Sequence, residues 1–292
     1  MTDIAVVGVG NWGQNLVRVF DSLADVTAVC HTGDPSNAAW VREEIPDATL
    51  TTDYDAVLES GVDAVAIATP IDTLADLAER ALSAGLDVYV EKPMAPTRSR
   101  MADLAALARE RDRVLFGGYI FVHHPVVAHL AERLAADPAE YCRLEWNYVG
   151  SFGPDLLTNL VCHPVSVALD LFGDPEATRV RTAAGTGPTD LLSATLEYPS
   201  LRCDLEVNRI APREENVAAT VLTEGGETYV LHDDGLSALD REAGAFERVF
   251  EPDAEPLGTE CRRFLECVES GGTPATGGEF GVRVHDVLAA ME

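Results

Sequence analysis

The 21 lysine and arginine residues of this chain include one lysine, Lys92, within Val88-Tyr89-Val90-Glu91-Lys92-Pro93-Met94-Ala95. Arginine's guanidinium stays protonated under ordinary conditions, whereas a desolvated lysine ammonium can lose its proton near neutrality. A sequence that uses arginine everywhere else and places its lysine just after a predicted strand points to chemistry arginine cannot do. An ammonium there can hold a developing alkoxide or ketone oxygen by a charge-assisted hydrogen bond, or act as a base where burial lowers its pKa. The competing reading is a chance survivor in a lysine-poor chain.

A second constellation lies at the N-terminus, in Val6-Val7-Gly8-Val9-Gly10-Asn11-Trp12-Gly13-Gln14. Gly-x-Gly-x-x-Gly after a first strand and opening a first helix is a dinucleotide fingerprint. Gly8 permits the tight turn, Gly10 lets backbone approach a pyrophosphate, and Gly13 lets helix and strand pack closely. The helix N-terminus then offers oriented N–H groups to the anion. The second strand of such a site ends on Asp or Glu when the ribose 2′-hydroxyl is read. Here the position falls on Cys30-His31-Thr32, with Asp34 beyond it and no arginine in place for a 2′-phosphate, so both NAD and NADP stay open.

These residues need elements to position them. The first 117 residues alternate short apolar runs with helical patterns, the signature of a parallel sheet flanked by helices. Predicted strands are Ile4–Val7, Val26–Cys30, Ala64–Ala68, Val88–Val90 and Val114–Phe116, with a weaker one near Thr49. Predicted helices are Gln14–Leu23, Asn37–Glu44, Thr73–Ala84 and Ser99–Arg111. After Gly118 the pattern changes. A helix near Pro125–Ala135, a strand near Arg143–Tyr148 and a helix near Leu160–Phe172 precede strand-like runs at 191–198, 201–210, 216–223, 227–232 and 246–250. Two helices, about 257–269 and 279–290, close the chain. The expected fold class is α/β: an N-terminal doubly wound parallel sheet over residues 1–118, then a C-terminal α+β domain over 119–292 on an open, mostly antiparallel sheet.

Composition excludes several classes. Hydrophobic residues make up 47% of 292, so the chain is globular and long enough for about two domains. Its net charge of −28, spread along the chain, argues against nucleic-acid binding and reads as salt adaptation, since molar salt screens such repulsion within about 3 Å. The six cysteines form no Cys-x-x-Cys, so no disulfide framework or metal site is expected. There is no basic leader with an apolar core and no membrane-length apolar run, which reads as a soluble, cytoplasmic protein without a membrane partner.

Taken together, the motifs resemble the glucose–fructose oxidoreductase / inositol dehydrogenase (Gfo/Idh/MocA) family of NAD(P)-dependent enzymes, and the acidic composition suggests a haloarchaeal member. The likeness rests on the glycine loop, Ala68-Thr69-Pro70, Glu91-Lys92-Pro93, Gly118 with Pro125, His163 with Leu171-Phe172-Gly173, Glu255-Pro256-Leu257, and Thr276-x-Gly278. It implies a Rossmann domain and a C-terminal sheet that carries homo-oligomer contacts. It implies that Gly8, Gly10, Asn11, Trp12, Gly13, His31, Thr32, Thr69, Pro70, Glu91 and Lys92 meet the cofactor. It further implies that Lys92 reaches the reacting hydroxyl, often beyond a cis Lys92–Pro93 bond, and that His163 accepts the substrate proton, a role suited to histidine's near-neutral pKa.

The chain also departs from the family. Ser166 and Asp170 stand where inositol-type members place Asp and His, Pro164 and Asn159 replace further acids, and Leu74 replaces a histidine. Ile120 and Val122 replace Asn and Arg. Tyr119, His123 and Asn159 remain as polar candidates for substrate contact beside Lys92 and His163; for Tyr119 and His123 the alternatives are a core aromatic and a helix cap. Arg209 and Arg213 read as solvated arginines rather than anchors for an anionic substrate. The resemblance implies hydride transfer between nicotinamide and a secondary hydroxyl or ketone of a sugar, possibly a sugar nucleotide. Two rivals stay open: a glycoside-cleaving enzyme using transient oxidation, and a non-catalytic dinucleotide-sensing regulator.

Overall fold

The computed structural model describes residues 2–147, 149, 155–184, 189–210 and 217–292. The chain begins β1 (Asp3–Val7), α1 (Asn11–Leu23), β2 (Asp25–Cys30), α2 (Pro35–Glu44), β3 (Thr49–Thr51), α3 (Tyr54–Leu58), β4 (Ala64–Ile67), α4 (Ile71–Ser83), β5 (Asp87–Glu91), α5 (Arg98–Arg111) and β6 (Leu115–Gly118). It continues with α6 (Pro125–Ala136), β7 (Ala139–Asn147), a π-helical turn at Leu157–Val161, and α7 (Cys162–Phe172). Seven strands follow: β8 (Ala177–Ala183), β9 (Leu191–Glu197), β10 (Arg202–Asn208), β11 (Val217–Thr223), β12 (Thr228–His232), β13 (Gly235–Asp240) and β14 (Ala245–Phe250). The closing helices are α8 (Pro256–Ser270) and α9 (Gly278–Ala289).

Two compact units result: Met1–Ile120 with Leu257–Val282, and Phe121–Pro256 with Arg283–Glu292. In the first, six parallel strands run in the order β3-β2-β1-β4-β5-β6. The order reverses between β1 and β4, and in open α/β sheets ligands bind beyond the carboxyl ends of the strands at that reversal. Every residue of β4 and β5 is buried, which explains why they read as continuous apolar runs rather than alternating ones.

A simple division at residue 118 gives α8 to the second domain, whereas α8 packs into the first unit. Phe264 explains it: its ring sits 6.0 Å from Phe20, 5.8 Å from Tyr89 and 5.7 Å from Phe116, centroid to centroid. Leu257, Glu260, Cys261, Phe264 and Leu265 are its buried residues, one stripe at helical spacing.

In the second unit the eight-stranded sheet has the order β14-β13-β12-β11-β7-β10-β9-β8. All pairings are antiparallel except β7 with β10. Alternation sets the faces. Cys142, Leu144, Leu192, Ala194, Leu196, Cys203, Leu205 and Val207 are buried, while Arg143 on the other face pairs with Glu145 and Glu206.

Three elements were absent from the sequence reading. In β8, an edge strand, every residue is at least partly exposed, so it carries no apolar alternation. β13 starts on Gly235, which reads as a turn, and α3 is too short for its period to show. Among the described residues no helix is long and apolar enough to cross a membrane.

Candidate active site

The glycine loop has the geometry its spacing predicts. Gly8 takes φ +90°, and a Cβ there would lie 2.6 Å from the Ala68 carbonyl oxygen. At Gly13 a Cβ would fall 1.8 Å from the Gly8 carbonyl oxygen, so only glycine allows α1 to approach this closely. Gly10 has nothing within 4 Å of that position, which leaves open space over the loop. Gly10 is the N-cap of α1 but has no side chain to cap with, and no acidic residue occupies the first turn. The N-terminal N–H groups, on Asn11, Trp12 and Gly13, are therefore available to an anion.

Around this loop, Thr69 and Pro70 follow β4, with Thr73 donating from its hydroxyl to Thr69 Oγ1 at 2.9 Å and Pro70 serving as N-cap of α4. After β2, His31 Nδ1 accepts the Gly33 N–H at 3.0 Å and Thr32 is exposed. Asp34 is occupied as N-cap of α2: it accepts from the Ser36 N–H at 2.8 Å and hydroxyl at 2.6 Å. These bonds pull its carboxyl below the usual range.

β5 delivers Glu91 and Lys92. Glu91 is buried and its carboxylate collects donors: the indole N–H of Trp12 and the Tyr89 hydroxyl (3.1 Å) at Oε1, and the Lys92 backbone N–H (3.3 Å) at Oε2. Burial pushes the Glu91 carboxyl up, while the Lys92 ammonium, Trp12 and Tyr89 pull it back. Trp12 thus ties the glycine loop to the lysine turn. Lys92 is half-buried, and the Lys92–Pro93 peptide is cis.

In the second unit His163 stands at the start of α7, half-buried, with its backbone carbonyl accepting the Ser166 hydroxyl at 2.7 Å. Its ring stacks on Trp146 of β7, 5.0 Å between centroids and 19° between planes, and meets Phe121 edge-on at 5.3 Å. Phe121 and Trp146 also pack edge to face at 4.4 Å. Asn159 lies in the π-helical turn just before, half-buried. No group of three or more His, Cys, Asp or Glu among the described residues could hold a metal ion.

Residues 2–119 fit the model of the Gfo/Idh/MocA oxidoreductase family, NAD-binding Rossmann fold. A UDP-N-acetylglucosamine 3-dehydrogenase of Acidithiobacillus ferrooxidans is 30% identical over 196 residues, 65% of this chain and 61% of its own length. A myo-inositol dehydrogenase of Streptomyces leeuwenhoekii is 26% identical over 94% of this chain and 80% of its own. The solved structure of the Acidithiobacillus ferrooxidans enzyme superposes with TM-score 0.88 at 23% identity, covering 99% of this chain and 95% of that one, which shows a shared fold. The match spans less than two thirds of the first relatives' own lengths, 61% and 57%.

The residues of the first unit fit NAD: open space over Gly10, uncapped N–H groups on α1, and Lys92 just beyond the end of β5. Two candidates for substrate contact fare worse. Tyr119 is fully buried with its ring edge-on to Phe280 at 5.4 Å, and His123 is 1% exposed, so both read as core residues. Arg209 is not a solvated arginine, since its Nε donates to Asp190 at 2.9 Å in a pair 3% and 1% exposed. Arg213 lies outside the described residues. Sequence reasoning missed Tyr89, Glu260, Phe121 and Trp146 as members of these clusters. Only Glu260 left a signal: a lone acid on the otherwise apolar stripe of α8.

Proposed function

We propose that this chain is an NAD(P)-dependent dehydrogenase that moves a hydride between nicotinamide and a secondary hydroxyl or ketone of a sugar or sugar derivative. The supporting observation is the Trp12–Glu91 hydrogen bond, which joins an open, uncapped glycine loop to the turn bearing Lys92. Relatives named for UDP-N-acetylglucosamine, myo-inositol and a dTDP-linked ketosugar favour this substrate class. A sugar nucleotide is our preferred member of it.

NAD, when bound, supplies the hydride acceptor. The protein supplies the rest. The backbone N–H groups at the start of α1, with Gly10 leaving room, hold the pyrophosphate. The Lys92 ammonium donates to the carbinol oxygen and stabilises the negative charge that grows there as the hydroxyl proton leaves. We assign the hydroxyl proton to His163, whose ring is fixed by Trp146 and Phe121. The eight-stranded sheet is the face we assign to self-association, tested by sedimentation.

The experiment is a turnover screen in molar KCl with NAD and NADP against UDP-N-acetylglucosamine, dTDP-sugars and inositols, run on wild type, Lys92→Met and His163→Asn. Lys92→Met should bind NADH normally and lose about 100- to 1000-fold in kcat. His163→Asn should lose about 100-fold or more. Wild-type turnover by Lys92→Met refutes the assignment. A cut glycosidic bond without net NADH makes the protein a glycoside-cleaving enzyme, and NADH binding without turnover of any sugar makes it a sensor.

A further inference from the structure

Behind Lys92 lies a buried chain of polar groups that neither cofactor nor substrate binding explains. Tyr89, fully buried on β5, sets its hydroxyl 3.1 Å from Glu91 Oε1 and 2.9 Å from Glu260 Oε2 on α8. Glu260 is 0% exposed, and its Oε1 has no hydrogen-bond partner among the described residues. Gly118 makes the room: a Cβ there would lie 2.6 Å from the Tyr89 hydroxyl oxygen and 2.9 Å from Glu91 Oε1.

Proton counting decides the state of this chain. A phenol has one hydrogen to donate, so it cannot satisfy two carboxylates at once. One carboxyl must itself donate to Tyr89. Glu91 has the indole N–H of Trp12, the Lys92 backbone N–H and the Lys92 ammonium to support a negative charge. Among the described residues Glu260 has only Tyr89, and an ionised carboxylate with one bare oxygen in an apolar core is far costlier than a neutral acid. The proton therefore rests on Glu260, whose O–H donates to Tyr89, whose O–H donates to ionised Glu91. Burial and the nearby Glu91 charge push the Glu260 carboxyl well above its usual range, in agreement. The thiol of Cys261, on α8, is a further titratable group whose charge acts on Tyr89.

We propose that Tyr89 and Glu260 are positioning residues: the proton held on Glu260 keeps Glu91 ionised, and ionised Glu91 fastens both the Trp12 glycine loop and the Lys92 turn. The inference deepens the dehydrogenase reading and rests on it for the role of Lys92, but its own readouts need only the protein and NADH.

Infrared difference spectra across a pH titration of the full chain in molar KCl should show a protonated buried carboxyl at pH about 7, absent in Glu260→Gln. Its absence from wild type, or its persistence in Glu260→Gln, overturns the proposal. Tyr89→Phe keeps the ring packed among Phe20, Phe116 and Phe264 but removes the link, so Glu91 takes up a proton at higher pH. NADH affinity, read by fluorescence, should then fall off earlier on the acid side, by about tenfold at mildly acidic pH, equivalent to one pKa unit. Glu260→Leu should behave alike, and Glu260→Gln, whose amide still donates to Tyr89, should recover most of the loss. A Tyr89→Phe profile superimposable on wild type, or no rescue by glutamine, refutes the relay. If no sugar is turned over by the wild type while these cofactor readouts hold, the dehydrogenase reading fails and the relay stands; if Lys92→Met keeps its turnover, only the catalytic assignment of Lys92 fails.

Discussion

The imidazole of His163 lies flat against the indole of Trp146, 5.0 Å between centroids and 19° between planes. The two residues sit on different elements, α7 and β7, and the stack fixes the ring of a residue whose sequence context only placed it near a helix start. Aromatic pairs of this kind contribute about 0.5–1.5 kcal/mol beyond burial. Trp146→Leu should therefore lower kcat/KM about 3- to 10-fold on whichever sugar the screen identifies. NADH affinity should stay unchanged. Steady-state kinetics beside a fluorescence titration checks both halves, and a parallel loss of NADH binding would count against a local role.

Gly13→Ala puts a methyl group 1.8 Å from the Gly8 carbonyl oxygen, a clash with backbone that no rotamer relieves. Either α1 moves away from β1 or the loop opens. We expect about 1–3 kcal/mol of lost stability, read as a lower urea midpoint, together with NADH binding too weak to saturate. Gly10→Ala meets nothing within the protein. It should keep wild-type stability and lose NADH affinity, which separates the two glycine roles.

The Arg209–Asp190 pair is almost fully buried at 2.9 Å. Removing one partner strands the other charge away from water, so Arg209→Met should cost about 3–5 kcal/mol by urea denaturation. The double variant Arg209→Met with Asp190→Leu removes both charges and should recover much of that loss. Additive losses would show that the pair does not act as a unit.

His124 caps α6 by accepting the Val126 N–H at Nδ1, 3.1 Å away, and donates to the backbone of Asp233. Burial lowers its pKa from 6.5, against a smaller opposing pull from Asp233. A protonated ring would turn a second N–H toward the Val126 donor. The sign follows: above the unfolded value both states are neutral, and below it the unfolded chain takes up a proton that the folded one resists. Stability should thus fall as pH drops from about 7 toward 5.5. His124→Asn retains a capping acceptor without titrating, and should flatten this part of the curve of melting temperature against pH.

Much of the first unit is legible in the sequence, for reasons that stay local. Gly8, Gly10 and Gly13 encode a turn, an open approach and a close contact within six residues. The run Val88–Val90 encodes a strand buried on both faces. The second unit was legible where alternation was clean, as in β9 and β10, and illegible in β8, whose edge position removes the apolar pattern. Tyr119 and His123 looked polar enough to meet a substrate because residue type does not reveal burial.

What the sequence determined by itself is most of the elements and the two groups most suited to chemistry, Lys92 and the glycine loop, because steric allowance and periodicity act over a few residues. Only tertiary structure decided that Tyr89 and Glu260, 171 positions apart, share a proton, that Arg209 and Asp190 are paired out of water, and that Trp146 holds His163. Such pairings depend on which helix face meets which strand, and on the absence of water once they meet. A hydrogen bond or stack between distant segments leaves no period in the chain that forms it.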